Sequence, residues 1–376
     1  MAGIYIHIPF CKQRCNYCAF YSSTLFNIKE LYIDALCKEI AMRKDYIPGT
    51  TIRTIYLGGG TPSTLSIEDI EKIFNTIYSH YSVSKDPEVT IECNPDDLTP
   101  DFLSRLKQLP INRISMGIQS FSDIQLKRLG RRHDAEKART AVKNVRETGF
   151  NNISIDLMFA LPGSTMQEWN ETLCQAIELN PEHISAYNLM YEEGTPMHRA
   201  LKRGDFKELT EDENVEQFQA LIEKLKEAGY RHYEISNFAR KGYESRHNSS
   251  YWNDTPYIGC GAAAHSYNGT SREWNVANIT EYIKGVNENK RNFEAEHLSE
   301  EERYNDTILT RLRTANGIPL EWMKEKFCER LYNYMKSNSR KLIESGNLKE
   351  ENNHLILTEK GIFVSDAVIR ELIYID

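Results

Sequence analysis

The sequence predicts an α/β fold: an open, partial (β/α)6 barrel of the TIM-like kind, followed by a smaller, mostly helical, winged-helix-like domain. Three observations lead there. Strand-like and helix-like segments alternate over the first 230 residues, and parallel strands need crossover helices between them. Short polar or glycine-rich runs follow nearly every strand, "GGGTP", "ECNP", "GIQS", "ALPGST" and "YEEGTP"; barrel enzymes build their sites from such carboxyl ends. Contributions from many strands suit one shared mouth better than the single crevice of a doubly wound sheet. Beyond residue 230 the alternation stops.

Taken in order, "GIYIHIPF" opens as a strand and leads to an amphipathic helix over 28–42. "TIRTIYLGGG" (51–60) precedes a helix over 66–78, with Ser66 as its N-cap and acidic residues in the first turn. "EVTIECNP" (88–95) precedes a helix over 99–109, and "NRISMGIQSF" (112–121) precedes two helical pieces ending near Gly149. "NISIDLMFALPG" (152–163) is followed by a helix over 165–179, and "EHISAYNLMYEE" (182–193), after a loop, by one over 210–228. These units define a barrel domain over 1–230. Residues 231–300 read as a connecting segment: a long stretch rich in Gly, Asn, Ser, Tyr and His, then a charged linker or surface helix, "NENKRNFEAEHLSEEER". Loops of such length are functional or disordered, and the aromatic content argues against disorder. Over 301–376, helical patterns at 304–314, 319–327 and 331–345, a hairpin at "NLKEENNHLILT" and a last helix over 359–372 suggest a winged helix.

The net charge of −8 offers no basic stripe to displace counterions, which argues against nucleic-acid binding. No apolar run reaches the ~20 residues of a membrane span, and "GIYIHIPF" lacks the flanks of a signal peptide; a cytoplasmic protein is expected. In a reducing cytoplasm, eight cysteines should not form structural disulfides, so clustered ones point to metal or redox chemistry. Cys37 and Cys174 lie in helical patterns and read as small apolar filler. "FCKQRCNYCAFYSS" (10–23) is different: Cys11, Cys15 and Cys18 form C-x3-C-x2-C. A structural zinc site would need a fourth ligand from afar, with His7 or Cys93 as donors. A redox pair of Cys15 and Cys18 leaves Cys11 unexplained. Three thiolates on an iron–sulfur cluster would leave one iron with an open position.

The triplet, with an aromatic before its third cysteine and on the loop after the first strand, resembles the radical S-adenosylmethionine (SAM) superfamily. The resemblance implies a [4Fe-4S] cluster on Cys11, Cys15 and Cys18, with SAM chelating the open iron. "GGGTP" at 58–62 is similar to that superfamily's contact to SAM, where glycines permit close backbone approach. "YIHIPFC", "GGGTPSTL", "RISMGIQSF", "LGRRHD", "DLMFALPGST", "HYEISNFA" and "RHNSSYW" extend the likeness along nearly the whole chain. They resemble the porphyrin-metabolism group that holds oxygen-independent coproporphyrinogen III dehydrogenase and the HemW-like heme chaperones. The dehydrogenase carries one more cysteine two positions after the third and an N-terminal extension. Here Phe20 stands at that position and the chain opens on the first strand. HemW-like proteins carry H-N-x-x-Y-W, present here as His247, Asn248, Tyr251 and Trp252. Their common C-D-F after the third cysteine reads Cys18-Ala19-Phe20.

Further roles follow from the resemblance one residue at a time. Tyr5 would lie near the SAM sulfonium and Tyr17 near the adenine. Gly59, Gly60 and Thr61 would contact SAM, and Glu92 its polar groups. Gln119, Arg131 and Asp156 match residues holding a second SAM in the dehydrogenase; a buried Arg131–Asp156 ion pair is the alternative. The H-N-x-x-Y-W segment would contact heme, with His247 as candidate axial ligand and His265 and Cys260 as rivals. The implied function is a heme chaperone that delivers heme to heme-dependent proteins, respiratory enzymes at the membrane among them. The dehydrogenase activity and a zinc-binding regulatory protein stand as alternatives.

Overall fold

The computed structural model describes residues 1–375. At its centre lie six strands in sequence order, each parallel to the next: β1 (Ala2–Ile8), β2 (Ile52–Gly59), β3 (Val83–Cys93), β4 (Arg113–Gln119), β5 (Ile153–Phe159) and β6 (His183–Asn188). Helices cross between them, Lys29–Met42, Ile67–His80, Pro100–Leu106, Asp123–Leu129 with Ala135–Glu147, and Met166–Glu178. Their starts are written locally. Ser66 and Thr165 each accept a backbone N–H while an acidic side chain three residues on returns the bond, which satisfies donors the helix cannot.

The strands alternate. Ile4, Ile6 and Ile8, Ile55 and Leu57, Val89 and Ile91, Ile114 and Met116, and Ile153 and Ile155 are fully buried in one apolar core under the helices. The residues between them are polar, and the register sets them side by side: Tyr5 beside Tyr56, Tyr56 beside Thr90, Thr90 beside Arg113, Asp156 beside Ser185. A parallel sheet covered on both faces usually reads as a continuous apolar run; here the inner face is polar, as a ligand-holding barrel requires.

The sheet stays open, and residues 231–300 do more than connect. After helices Pro196–Arg203 and Glu211–Glu227, the hairpin β7 (Arg231–Glu234) and β8 (Asn237–Ala239) extends the β6 edge. The chain then crosses to the other edge. There β9 (Tyr257–Cys260) pairs in parallel with β1, and β10 (His265–Tyr267), β11 (Ser271–Asn275) and β12 (Phe293–His297) follow antiparallel. The Gly, Asn and Ser content that reads as loop belongs to the tight turns of these short strands. The charged stretch expected as linker or helix contains β12, an edge strand exposed along its length, which its charges protect from pairing with another chain.

The remaining chain has a separate apolar core built on Tyr304, Ile308, Met323, Leu331 and Met335. Helices Glu300–Arg311, Leu320–Lys326 and Glu329–Glu344 pack around β13 (Ile318–Pro319), β14 (Leu348–Glu351) and β15 (His354–Leu357), in the winged-helix order. The expected last helix is two pieces, Glu359–Ile362 and Ser365–Leu372. Backbone bonds from Ile235 N to Arg313 O and from Ala315 N to Tyr233 O, both 3.0 Å, dock this unit on the β7 edge. Among the described residues no helix is long and apolar enough to cross a membrane.

Candidate functional site

The three cysteines lie on a loop pinned at its base and at its tip. Cys11 N donates to Ser23 O (2.9 Å) and Ser23 N to Pro9 O (2.6 Å), while Phe10 is buried against Phe26 and Tyr32. At the tip, Asn16 N donates to Leu129 O (2.9 Å), Asn16 Nδ2 to Arg128 O (2.9 Å) and Gln13 Nε2 to Gly130 O (3.0 Å). Arg131 reaches back from that segment, donating to Cys15 Sγ (3.3 Å), Asn94 Oδ1 (2.6 Å) and Gly117 O. Its partners are these rather than Asp156, so the alternative ion pair does not form. Tyr17 packs against the small apolar group of Leu129, Met158, Leu161, Leu189 and Met197.

The residues fit an iron–sulfur cluster. All three cysteines are free, and burial pushes the Cys11 and Cys18 thiols up, so their thiolate forms need a cationic partner, which iron supplies. Among the described residues no three His, Cys, Asp or Glu side chains converge on a single ion, as a mononuclear zinc site would require. Cluster thiolates each take a different iron and need no such convergence.

The glycine run brings the end of β2 onto this loop. Gly59 has φ +110°, and a Cβ there would stand 2.6 Å from the His7 ring; one on Gly60 would stand 2.8 Å from the Pro9 carbonyl carbon. Thr61 Oγ1 lies 3.4 Å from Cys11 Sγ. Glu92, at the end of β3, accepts from Tyr56 OH (2.7 Å) and from Gly59 N (3.1 Å). Burial raises its carboxyl to about 7 against those two bonds. Asp156 faces the same interior and is raised by burial to about 6, opposed by Ser185, Arg113 and Arg131. Gln119 ends β4 buried and in the left-handed region (φ 71°). Tyr5 donates to His7 Nδ1 (3.1 Å), whose Nε2 donates to Tyr21 O (3.1 Å); burial lowers His7 to about 4 and keeps it neutral.

The H-N-x-x-Y-W segment lies elsewhere. Helix Arg246–Tyr251 closes the end of the barrel where the strands begin, with the N–H groups of Arg246 and His247 donating to Glu88 (2.9 and 2.8 Å). His247 is buried to 1 % exposure. Its Nδ1 bonds Thr54 Oγ1 (2.8 Å) and its Nε2 bonds Tyr251 OH (2.9 Å), and its ring stacks on Tyr56 at 4.9 Å. Both nitrogens are engaged, and burial lowers the imidazole to about 3; in this arrangement His247 has no lone pair to offer iron. Asn248 is half-buried, and Trp252 lines a cleft against the C-terminal domain. His265 is exposed and stacks on Trp274, and Cys260 is fully buried. Thr54, Tyr56 and Glu88, which hold this floor, escaped the motif reading. Their signal was the polar alternation within "TIRTIY" and "EVTIEC".

Comparison with known proteins accords with this architecture. Residues 5–175 match the model of the Radical SAM superfamily, and residues 298–364 that of the HemN C-terminal domain. The heme chaperone HemW of Bacillus subtilis is 34% identical over 98% of both chains. That of Lactococcus lactis is 33% identical over 99% of this chain and 97% of its own. That of Escherichia coli is 36% identical over 70% of this chain and 69% of its own. The solved structure of Escherichia coli coproporphyrinogen III oxidase (HemN), a radical SAM enzyme, superposes with a TM-score of 0.87 at 23% identity, covering 99% of this chain and 90% of that one, which shows the shared fold. The cysteine loop, the glycine run, the open polar-lined barrel and the likeness over the full length lead to one conclusion: this chain belongs to the HemW family of the radical SAM superfamily.

Proposed function

We propose that this protein is a heme chaperone: it binds heme, carries a [4Fe-4S] cluster on Cys11, Cys15 and Cys18 with SAM at the fourth iron, and passes heme to acceptor proteins. The observation that carries the reading is a separation. The H-N-x-x-Y-W segment closes the strand-start end of the barrel, whereas the cysteines and glycines lie at the strand-finish end. A porphyrin carried at the strand-start end would be cargo, outside the mouth where a substrate of radical chemistry must sit.

When bound, the cluster and SAM together supply one-electron chemistry. This chain's own residues hold and shield them. Arg131 donates toward Cys15 and ties that loop to Asn94. Gly59, Gly60 and Thr61 bring backbone against the loop, and Glu92 fixes the Gly59 N–H. Tyr5, Tyr17, Gln119 and Asp156 line the space around the SAM position. The protein works in the cytoplasm, and its acceptors include respiratory heme enzymes at the membrane.

The test is anaerobic reconstitution followed by heme titration and transfer. Iron and acid-labile sulfide are expected in the wild type and lost together in Cys15→Ala. A Soret band is expected on heme addition, and transfer to an apo-heme protein should follow. Catalytic conversion of coproporphyrinogen III with SAM and reductant would overturn the chaperone reading in favour of the decarboxylase.

A further inference from the structure

A cleft of about 410 Å³ opens between the closed end of the barrel and the C-terminal domain. Its volume lies in the ~300–1,000 Å³ range of sites for cofactor-sized molecules. Trp252 comes from the barrel side and His354 from the start of β15, with Arg231 and Arg311 contributing from the two units. Trp252 Nε1 and Arg311 Nε are buried donors without a partner. Arg311 stacks on Trp322 at 3.9 Å and gives one terminal nitrogen to Asn253 O at 3.3 Å. Arg231 donates to Asn316 Oδ1 at 3.2 Å, and Glu244, the one acidic residue of the lining, stands 3.8 Å from it. Asp254, just behind the lining, stands 3.7 Å from Arg311 but is taken more closely by Lys326 at 2.8 Å; three cations against two carboxylates leave this end of the cleft with one net positive charge.

His354 differs from His247 in the respect that matters for metal binding. Its Nδ1 lies 2.9 Å from Asn352 O. A carbonyl only accepts, so Nδ1 carries the proton and Nε2 keeps its lone pair. A backbone carbonyl on the far nitrogen is how ligating histidines are oriented and made more basic. Heme iron takes such an imidazole as axial ligand, guanidinium groups suit carboxylates, and an indole face suits a porphyrin.

We propose that this cleft holds an iron porphyrin, with His354 Nε2 donating its lone pair to the iron and Arg231 and Arg311 receiving the two propionates. The inference rests on reading the protein as a heme carrier, and it assigns the ligand to the C-terminal domain rather than to the H-N-x-x-Y-W histidine. Nδ1 retains its proton throughout, so ligation releases none.

Titration of the full-length protein with ferric heme tests it, alongside iron-free protoporphyrin IX, which presents propionates without a metal. Wild type is expected to show an imidazole-ligated Soret band. His354→Gly should shift that band and weaken heme binding about tenfold or more, with free imidazole restoring the position. His354→Gly should bind protoporphyrin IX as wild type does, whereas Arg231→Ala, at an exposed position, should weaken both ligands with unchanged circular dichroism. If wild type binds heme but neither variant alters spectrum or affinity, the cleft assignment fails and the chaperone reading stands. If wild type gives no Soret band at all, both fail.

Discussion

His247 shows how a residue's surroundings decide its role. The motif places a histidine beside aromatics, which by composition suits heme. The fold stacks that ring on Tyr56 and bonds both nitrogens, which suits a structural pin. His247→Ala would remove a buried ring and strand the Thr54 and Tyr251 hydroxyls, and a loss of about 3 kcal/mol is expected in urea unfolding. The pH dependence follows in sign. The folded imidazole titrates near 3 and the unfolded one near 6.5, so between those values the unfolded chain binds the extra proton. Stability is therefore full above about pH 6.5 and falls as pH drops below it, with a slope of up to about 1.4 kcal/mol per pH unit from this residue. Glu92 works in the opposite sense. Its carboxyl is raised to about 7, so the folded chain binds the extra proton and stability falls as pH rises from the ordinary carboxyl range towards 7. Glu92→Gln should flatten that part of the profile, measured as unfolding midpoints between pH 5 and 8, and a wild-type-like slope in the variant would contradict the assignment.

At the scale of elements, the ends of β1 and β2 are joined by absence of side chains. Gly59 has positive φ and meets the His7 ring, so Gly59→Ala carries both backbone strain and a steric clash. It is expected to push β2 off the cysteine loop and to reduce SAM binding, read by calorimetry, far more than Gly49→Ala, where nothing stands within 4 Å. Helix starts respond locally. Thr165→Ala removes the cap accepted from Glu168 N at 3.2 Å and should cost about 1 kcal/mol, with no effect on iron content. The last helix illustrates where local reading stops: Gly361 lies so tightly under Asn347 O that a Cβ would be 2.0 Å away, and the helix breaks soon after.

On the scale of the molecule, the far edge of the sheet is bolted to the first helix by buried charge. Glu39 accepts from Gly261 N (2.8 Å), Asn275 Nδ2 (2.7 Å) and Tyr282 OH (2.6 Å) and lies 3.2 Å from Arg291. Arg43 pairs with Glu273 and donates to Ser266. Arg43 also stands 3.7 Å from Glu39; Glu39→Ala would strip three donors of their carboxylate and leave Glu273 alone to balance Arg43 and Arg291, and a loss of about 3 kcal/mol is expected. Hydrogen exchange should show the loss concentrated in 257–297, with the winged-helix unit unchanged.

The strands, the caps and the cysteine and glycine runs were legible in the sequence because each depends on neighbours within a few positions: alternation on one strand, a side chain returning to its own helix turn, three thiols on one loop. The likeness along the whole chain carried the family in the same way. What only the tertiary structure decided depends on residues far apart. Thr54, Glu88 and Tyr251 surround His247 from three segments, β9 finds β1 across more than two hundred positions, and His354 and Trp252 line one cleft from opposite sides of the junction of two cores. Sequence periodicity reports which face a residue shows; it carries no information on which distant residue will stand opposite, and that pairing separates a buried pin from an available ligand.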